Sequence, residues 1–209
     1  MRDKTILDSI DMNYKETIKK LYHMLENELS PELTYHGIHH TRDVHEVCQF
    51  YIKHYQIELI PAQLLEVAAV GHDVGFVKNY KNHEEASVEI TSKVMREEGF
   101  NEHQIRQVSE MILATKVPQN PTGFLSSLLC DADLDYLGRH DFSEIGATLK
   151  QEWKNYELFL NLDENFDIIQ IGFLKGHCYH NEYAKEHRAP IKLKHLEHLE
   201  RQQVSKTPK

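Results

Sequence analysis

The sequence predicts an all-α fold, a single-domain helical bundle, and three observations carry that expectation. Glycine and proline are scarce, 9 and 6 of 209 residues. Apolar residues recur at i, i+3 and i+4 along most of the chain, the spacing of one helix face. No stretch of any length alternates apolar and polar residues as a half-buried strand would.

The elements follow in order. Residues 10–29 carry Tyr14, Ile18, Leu21, Tyr22 and Leu25 on one stripe. Ser30-Pro31 reads as a helix N-cap with proline at the first helical position. A further helix after Thr41 carries Val44, Val47, Cys48 and Tyr51. Pro61 opens a helix with Leu64, Leu65, Val67, Ala68, Ala69 and Val70, apolar nearly all round and so expected to be buried and central. It ends at Gly71-His72-Asp73. Helices are also expected over 84–98, stopping at Gly99, over 102–114, and over 123–137, stopping at Gly138. Asp141, with Glu144 three residues on, has the pattern of a cap and its partner for a helix running to 160. Residues 168–177 and 191–202 complete the set. The tail 204–209 is polar and expected to fray. No repeat and no linker-like stretch divides the chain, so one domain over 1–209 is expected.

Composition narrows the function. Charged residues make up 27% and apolar residues 40%, ordinary for a globular protein. The net charge is −9 and no long basic run offsets it, which disfavours a nucleic-acid polymer as partner. Three widely spaced cysteines, Cys48, Cys130 and Cys178, form no CxxC and suit a reducing compartment. No apolar run approaches the roughly 20 residues a membrane span needs, and residues 1–10 lack the apolar core of a signal peptide. A cytoplasmic protein with no membrane partner is expected. No signal for an oligomeric state is visible.

Fifteen histidines stand out. Metal-ligand types gather at four places: Tyr35-His36-Gly37-Ile38-His39-His40, His72-Asp73, Asn82-His83-Glu84-Glu85, and Asp131-Ala132-Asp133. Asp73 follows a run of small apolar residues, and Asp131 and Asp133 follow the apolar stretch 125–130. Burying an ionised carboxylate without a partner costs several kcal/mol at least, roughly. A helix cap or buried salt bridge is the ordinary explanation of any one of these acids. With a histidine-rich segment upstream and a second acidic site downstream, a bound cation is the simpler one. Leu128, Leu129, Ala132 and Tyr136 form a buried stripe with both aspartates at its margins. Residues i and i+2 on a helix point about 200° apart, so only one of Asp131 and Asp133 is expected as a direct ligand.

These residues carry a resemblance. YHGIHH, GHD and DADLDYLG resemble the H…HD…D signature of the HD superfamily of metal-dependent phosphohydrolases. The segments NHEEAS and ILATK and the C-terminal FLKGHCYHNEYAKEHRAPIKLKHLEHL are similar to segments of a predicted HD phosphohydrolase subfamily, so that the likeness covers roughly residues 30–200. The resemblance implies an HD-type helical bundle and a metal-activated water that cleaves a phosphate ester of a small molecule, with a nucleotide as first candidate. The family pattern Tyr-His-Asn-x-x-His falls on His40. Gly37 replaces the usual Asn, which keeps His36 and His39 as alternatives. His72 and Asp73 match the doublet. Ala-Asp-Leu in relatives favours Asp133, with Asp131 still open. Mixed nitrogen and oxygen donors suit Mn²⁺, Fe²⁺, Co²⁺, Ni²⁺ or Zn²⁺, with Mg²⁺ a further candidate. One ion per chain is expected, because Thr115-Lys116 stands where some two-metal relatives have histidine. Asp73 or Glu84 is a candidate base, His83 a general acid or substrate contact, and Lys116 a phosphate contact. His177 and His180 are candidates for lining the site by resemblance alone. His23, His54, His103, His140, His195 and His198 lie on polar stretches and are expected to be solvated, while Trp153 and the tyrosines pack the core. The alternative is a non-catalytic domain that binds a metal or nucleotide and regulates a partner.

Overall fold

The computed structural model describes residues 4–206, with side-chain surroundings for 14–205. Its described residues are helical and turn segments without a strand. The α-helices are α1 (Lys4–Glu28), α2 (Ile38–His54), α3 (Leu59–Gly71), α4 (His83–Glu97), α5 (Glu102–Ala114), α6 (Phe124–Asp133), α7 (Phe142–Asn155), α8 (Leu162–Gly176), α9 (Glu182–His187) and α10 (Ala189–Lys206). Short 3₁₀ segments follow α3 at Val74–Val77 and α6 at Asp135–Gly138. The chain groups into two compact units. One holds the residues up to Pro31 and His36–Ala132; the other holds Glu32–Tyr35 and the residues from Asp133 onwards. The division falls inside α6 rather than at a linker.

In the first unit α3 is the hub and packs against α1, α2, α4 and α5. Its apolar circumference explains this, since Leu64, Leu65, Val67, Ala68, Ala69 and Val70 all need cover and all are buried. Two glycines then bring α4 close to the end of α3. A Cβ on Gly71 would meet Thr91 Oγ1 at 2.5 Å, and one on Gly75 would meet the His83 carbonyl oxygen at 2.0 Å. Gly75 N donates to Ser87 Oγ at 2.8 Å. The tight approach sets His83, the first residue of α4, beside the His72-Asp73 corner.

The second unit has its own core of Tyr136, Leu137, Phe142, Leu174, Tyr179 and Leu199. The strap 32–35 is tied to α7: Thr34 Oγ1 donates to the Thr148 carbonyl at 2.8 Å, and Glu152 accepts from Tyr35 N at 2.8 Å. Asp135 is buried there and accepts from Arg188 Nε at 2.7 Å, with Arg139 Nη1 at 3.6 Å.

Several elements differ from the sequence expectation. Ser30-Pro31 opens no helix; residues 31–37 are turn and bend, and Gly37 is the N-cap of α2. The helix expected over 123–137 stops at Asp133, and Leu134 (φ −110°, ψ 21°) turns the chain so that Asp135 meets its arginines. Asp141 does not cap α7 with its side chain, because Arg139 Nη2 and Nε hold that carboxylate at 2.8 and 3.0 Å. The same helix ends at Asn155 instead of 160, with Glu157 in the left-handed region at φ 50°. α8 starts earlier than expected, after Asn161 at φ 52°. The six-residue α9, too short for periodicity to reveal, is capped by Asn181 Oδ1 accepting from Ala184 N at 2.9 Å. α10 continues to Lys206; the rest of the expected frayed tail, 207–209, lies outside the described residues.

Candidate metal centre

His72 is the C-cap of α3, buried with 1% of its surface exposed. Its Nδ1 lies 2.8 Å from the Ala69 carbonyl oxygen. A carbonyl only accepts, so Nδ1 carries a proton; Nε2 presents a lone pair when the ring is neutral and a second N–H when it is charged. His40, in the first turn of α2, is buried as well, and its Nε2 lies 3.4 Å from that of His72. Asp73 Oδ2 is 3.2 Å from His72 Nε2 and 3.5 Å from His40 Nε2. That oxygen is buried and makes no hydrogen bond. At these distances the contact of His72 Nε2 with the carboxylate oxygen is favourable only with positive charge between them, a proton on Nε2 or a metal ion.

Asp133 approaches the two histidines. It is the last residue of α6, a ten-residue helix whose other residues belong to the first unit. One ligand atom each from His40, His72 and Asp133 lie within 4.8 Å of one another. Asp131 is fully buried two residues earlier and does not join them. The half-turn between i and i+2 accounts for the split. Burial raises the Asp73 carboxyl, but the charges of His72, His36 and His83 outweigh it and hold the group well below the ordinary carboxylate range.

His83 extends the arrangement. Its Nε2 is 3.5 Å from Asp73 Oδ1 and 3.6 Å from Glu84 Oε1, and its Nδ1 faces the Tyr80 carbonyl at 3.3 Å. Phe76 stacks on the His83 ring at 3.9 Å and on the His36 ring at 4.4 Å between centroids. Glu84 is buried in the first turn of α4, where the helix dipole favours a carboxylate.

Of the histidines offered by YHGIHH, then, His40 is in the group, His36 lines an aromatic wall and His39 is exposed. Lys116 stands apart from the group: it is exposed and ion-paired with Glu85, which raises its pKa. His177 and His180 belong to the second unit. His195, expected to be solvated, is instead half-buried, with Nε2 2.7 Å from the Arg139 carbonyl and its ring stacked on Phe142 at 4.6 Å. Trp153 is half-buried and packs against Phe159 and Phe166. Sequence reasoning missed Phe76 and the buried Asp135. The third aspartate of DADLDYLG, with Arg139 four residues on, was the available signal for the second.

Comparison of the chain with protein families, curated proteins and solved structures finds no match. No helix among the described residues is long and apolar enough to cross a membrane.

Proposed function

We propose that the chain is a metal-dependent phosphohydrolase of the HD type, acting on a phosphate ester of a small molecule, with nucleotides the first class to assay. The observation that carries this reading is the convergence of His40 Nε2 and His72 Nε2 on a buried Asp73 oxygen that has no hydrogen-bond donor. The donor set fits a divalent transition metal: two imidazole nitrogens and the carboxylates of Asp73 and Asp133, with the His72 tautomer already fixed by Ala69 as metal-binding histidines require. Such an ion supplies positive charge that acidifies water and offsets charge building up on a phosphoryl group.

The chain's own residues supply the rest. Asp73 uses Oδ2 toward the histidines and keeps Oδ1 toward His83, so it ties the two parts of the site together. His83 Nδ1 rests on the Tyr80 carbonyl, which leaves Nε2 as the atom that takes or delivers a proton, with Glu84 Oε1 beside it to orient the ring. Phe76 and His36 shield that face from water. Lys116 is outside this set while Glu85 holds it.

The test is metal analysis of the purified protein, then assay of a panel of phosphate esters, nucleotides and cyclic nucleotides with added Mn²⁺. Metal-stimulated phosphate release that Asp73→Ala abolishes supports the proposal. Bound metal with no release from any member of the panel favours the non-catalytic regulatory domain.

A further inference from the structure

We infer that Ser87 is a positioning residue of the metal centre: its hydroxyl accepts the Gly75 N–H that the Asp73 carboxylate would otherwise cap, and so leaves that carboxylate free for the ion, a role that rests on the metal-dependent phosphohydrolase reading. All the groups involved lie in the first unit. Asp73 is the N-cap of the 3₁₀ segment Val74–Val77. An aspartate at such a position ordinarily accepts from the N–H groups two or three residues on. Asp73 does neither. Its side chain makes no capping hydrogen bond, and its backbone (φ −110°, ψ 4°) is not the extended one that a capping residue adopts. The Phe76 N–H goes to the Asp73 carbonyl at 3.1 Å, and the Gly75 N–H goes to Ser87 Oγ at 2.8 Å.

Gly75 and Ser87 are both buried, so water does not serve that N–H. A buried N–H left without an acceptor is costly. α4 comes near enough to supply the acceptor because residue 75 is glycine: a Cβ there would meet Ser87 N at 2.7 Å as well as the His83 carbonyl. Ser87 lies about one turn beyond His83 on α4. The bond that relieves Asp73 therefore also holds α4 where His83 Nε2 faces Asp73 Oδ1 at 3.5 Å. The carboxylate, free of the cap, turns Oδ2 to His72 and His40. Packing alone explains a small buried residue at 87. It does not explain a hydroxyl aimed at the one N–H that Asp73 is placed to take. Thr91 offers the contrast: it is a second buried hydroxyl on α4 at the same corner, 3.4 Å from the Gly71 carbonyl, and it receives no N–H from the segment after Asp73.

The experiment pairs calorimetric titration with Zn²⁺ and hydrogen exchange of the Gly75 amide, read by NMR on the full chain, in proteins checked for native helix content. Ser87→Ala takes the acceptor from Gly75, and Asp73 is drawn to the cap and away from the ion. The expected result is Zn²⁺ binding about tenfold weaker, the worth of one helix cap, with Thr91→Val near the wild type. In metal-free Ser87→Ala the Gly75 amide still exchanges slowly, because the carboxylate replaces the hydroxyl. It exchanges fast once Zn²⁺ is added, and also in the metal-free Ser87→Ala/Asp73→Ala protein. Ser87→Ala that binds Zn²⁺ like the wild type, an equal loss in Thr91→Val, or a Gly75 amide already fast in metal-free Ser87→Ala overturns the inference while the metal reading stands. If the wild type binds no Zn²⁺, the metal reading fails, and exchange alone decides Ser87. Protection lost only in the double variant then upholds the displaced cap, and any other pattern overturns it.

Discussion

Asp73 and Asp135 are both almost fully buried carboxylates, one in each unit, and their surroundings differ in kind. Asp135 lies between Arg188 and Arg139, whose guanidinium groups are permanently charged. Among the described residues, Asp73 has only histidines within ion-pair distance: His72, His40 and His83. Arginines neutralise a buried acid without help, so Asp135 is an internal strut. A histidine does so only while it carries a second proton, so Asp73 depends on protonation of its histidines or on a bound cation. The difference teaches how a buried acid is to be read: the nature of its cations separates architecture from a site that expects a ligand.

The comparison can be broken at either end. The largest effect is expected at the metal. Asp73→Ala or His72→Ala should lose most of the bound ion, while Asp135→Asn keeps it, as elemental analysis of the three proteins would reveal. On stability the order reverses. Asp135→Ala leaves two arginines without their acid and should cost about 3 kcal/mol in urea unfolding, the lower end of the range for breaking a buried pair because both arginines reach solvent. An undiminished unfolding midpoint would remove the strut.

A smaller effect sharpens the distinction within α6. Asp133→Asn should weaken metal binding by about 10- to 100-fold, whereas Asp131→Asn should leave it near the wild-type value and disturb only local packing. Isothermal titration with Zn²⁺ measures both, and the reverse pattern would move the ligand to Asp131. The smallest expected effect tests a network away from both acids. Burial raises Glu66, but hydrogen bonds from His45, Tyr14 and Gln49 outweigh it and hold its carboxyl below 4.5. The folded group titrates below the unfolded one, so its contribution is full above pH 4.5 and fades as pH falls through the folded value. Thermal unfolding of Glu66→Gln should therefore fall less steeply with acid than the wild type.

Much of this was legible in the sequence, for physical reasons. α3 and α5 could be read because their apolar periodicity is strong; the Asn101–Gln104 capping box that starts α5 lies outside that reading and emerges from the structure. His72, Asp73, Asp131 and Asp133 stood out because a histidine and acids interrupted apolar runs, whereas His40 over His36 and His39, and Asp133 over Asp131, followed only from the resemblance to HD proteins. The break after Asp133 could not be read, since it depends on Arg188, fifty-three residues away in the chain. Asp141 illustrates the same limit: its spacing to Glu144 matched a cap, but Arg139 two residues earlier took the carboxylate. The division into two units was invisible because it runs through a helix and no change of composition marks it. His195 looked solvated because its neighbours in sequence are polar, while its neighbours in space are Phe142 and the Arg139 carbonyl.

The central claim is that the buried oxygen of Asp73 and the lone pair of His72 are held apart by a cation. Elemental analysis of wild-type, His72→Ala and Asp73→Ala proteins, purified without chelator and checked for native helix content, tests it most directly. The account predicts about one transition-metal ion per wild-type chain and little in either variant, as removal of a direct ligand requires. Equal metal content in all three, or none in the wild type after incubation with Mn²⁺ and Zn²⁺, would contradict it and make the His-Asp corner a structural turn.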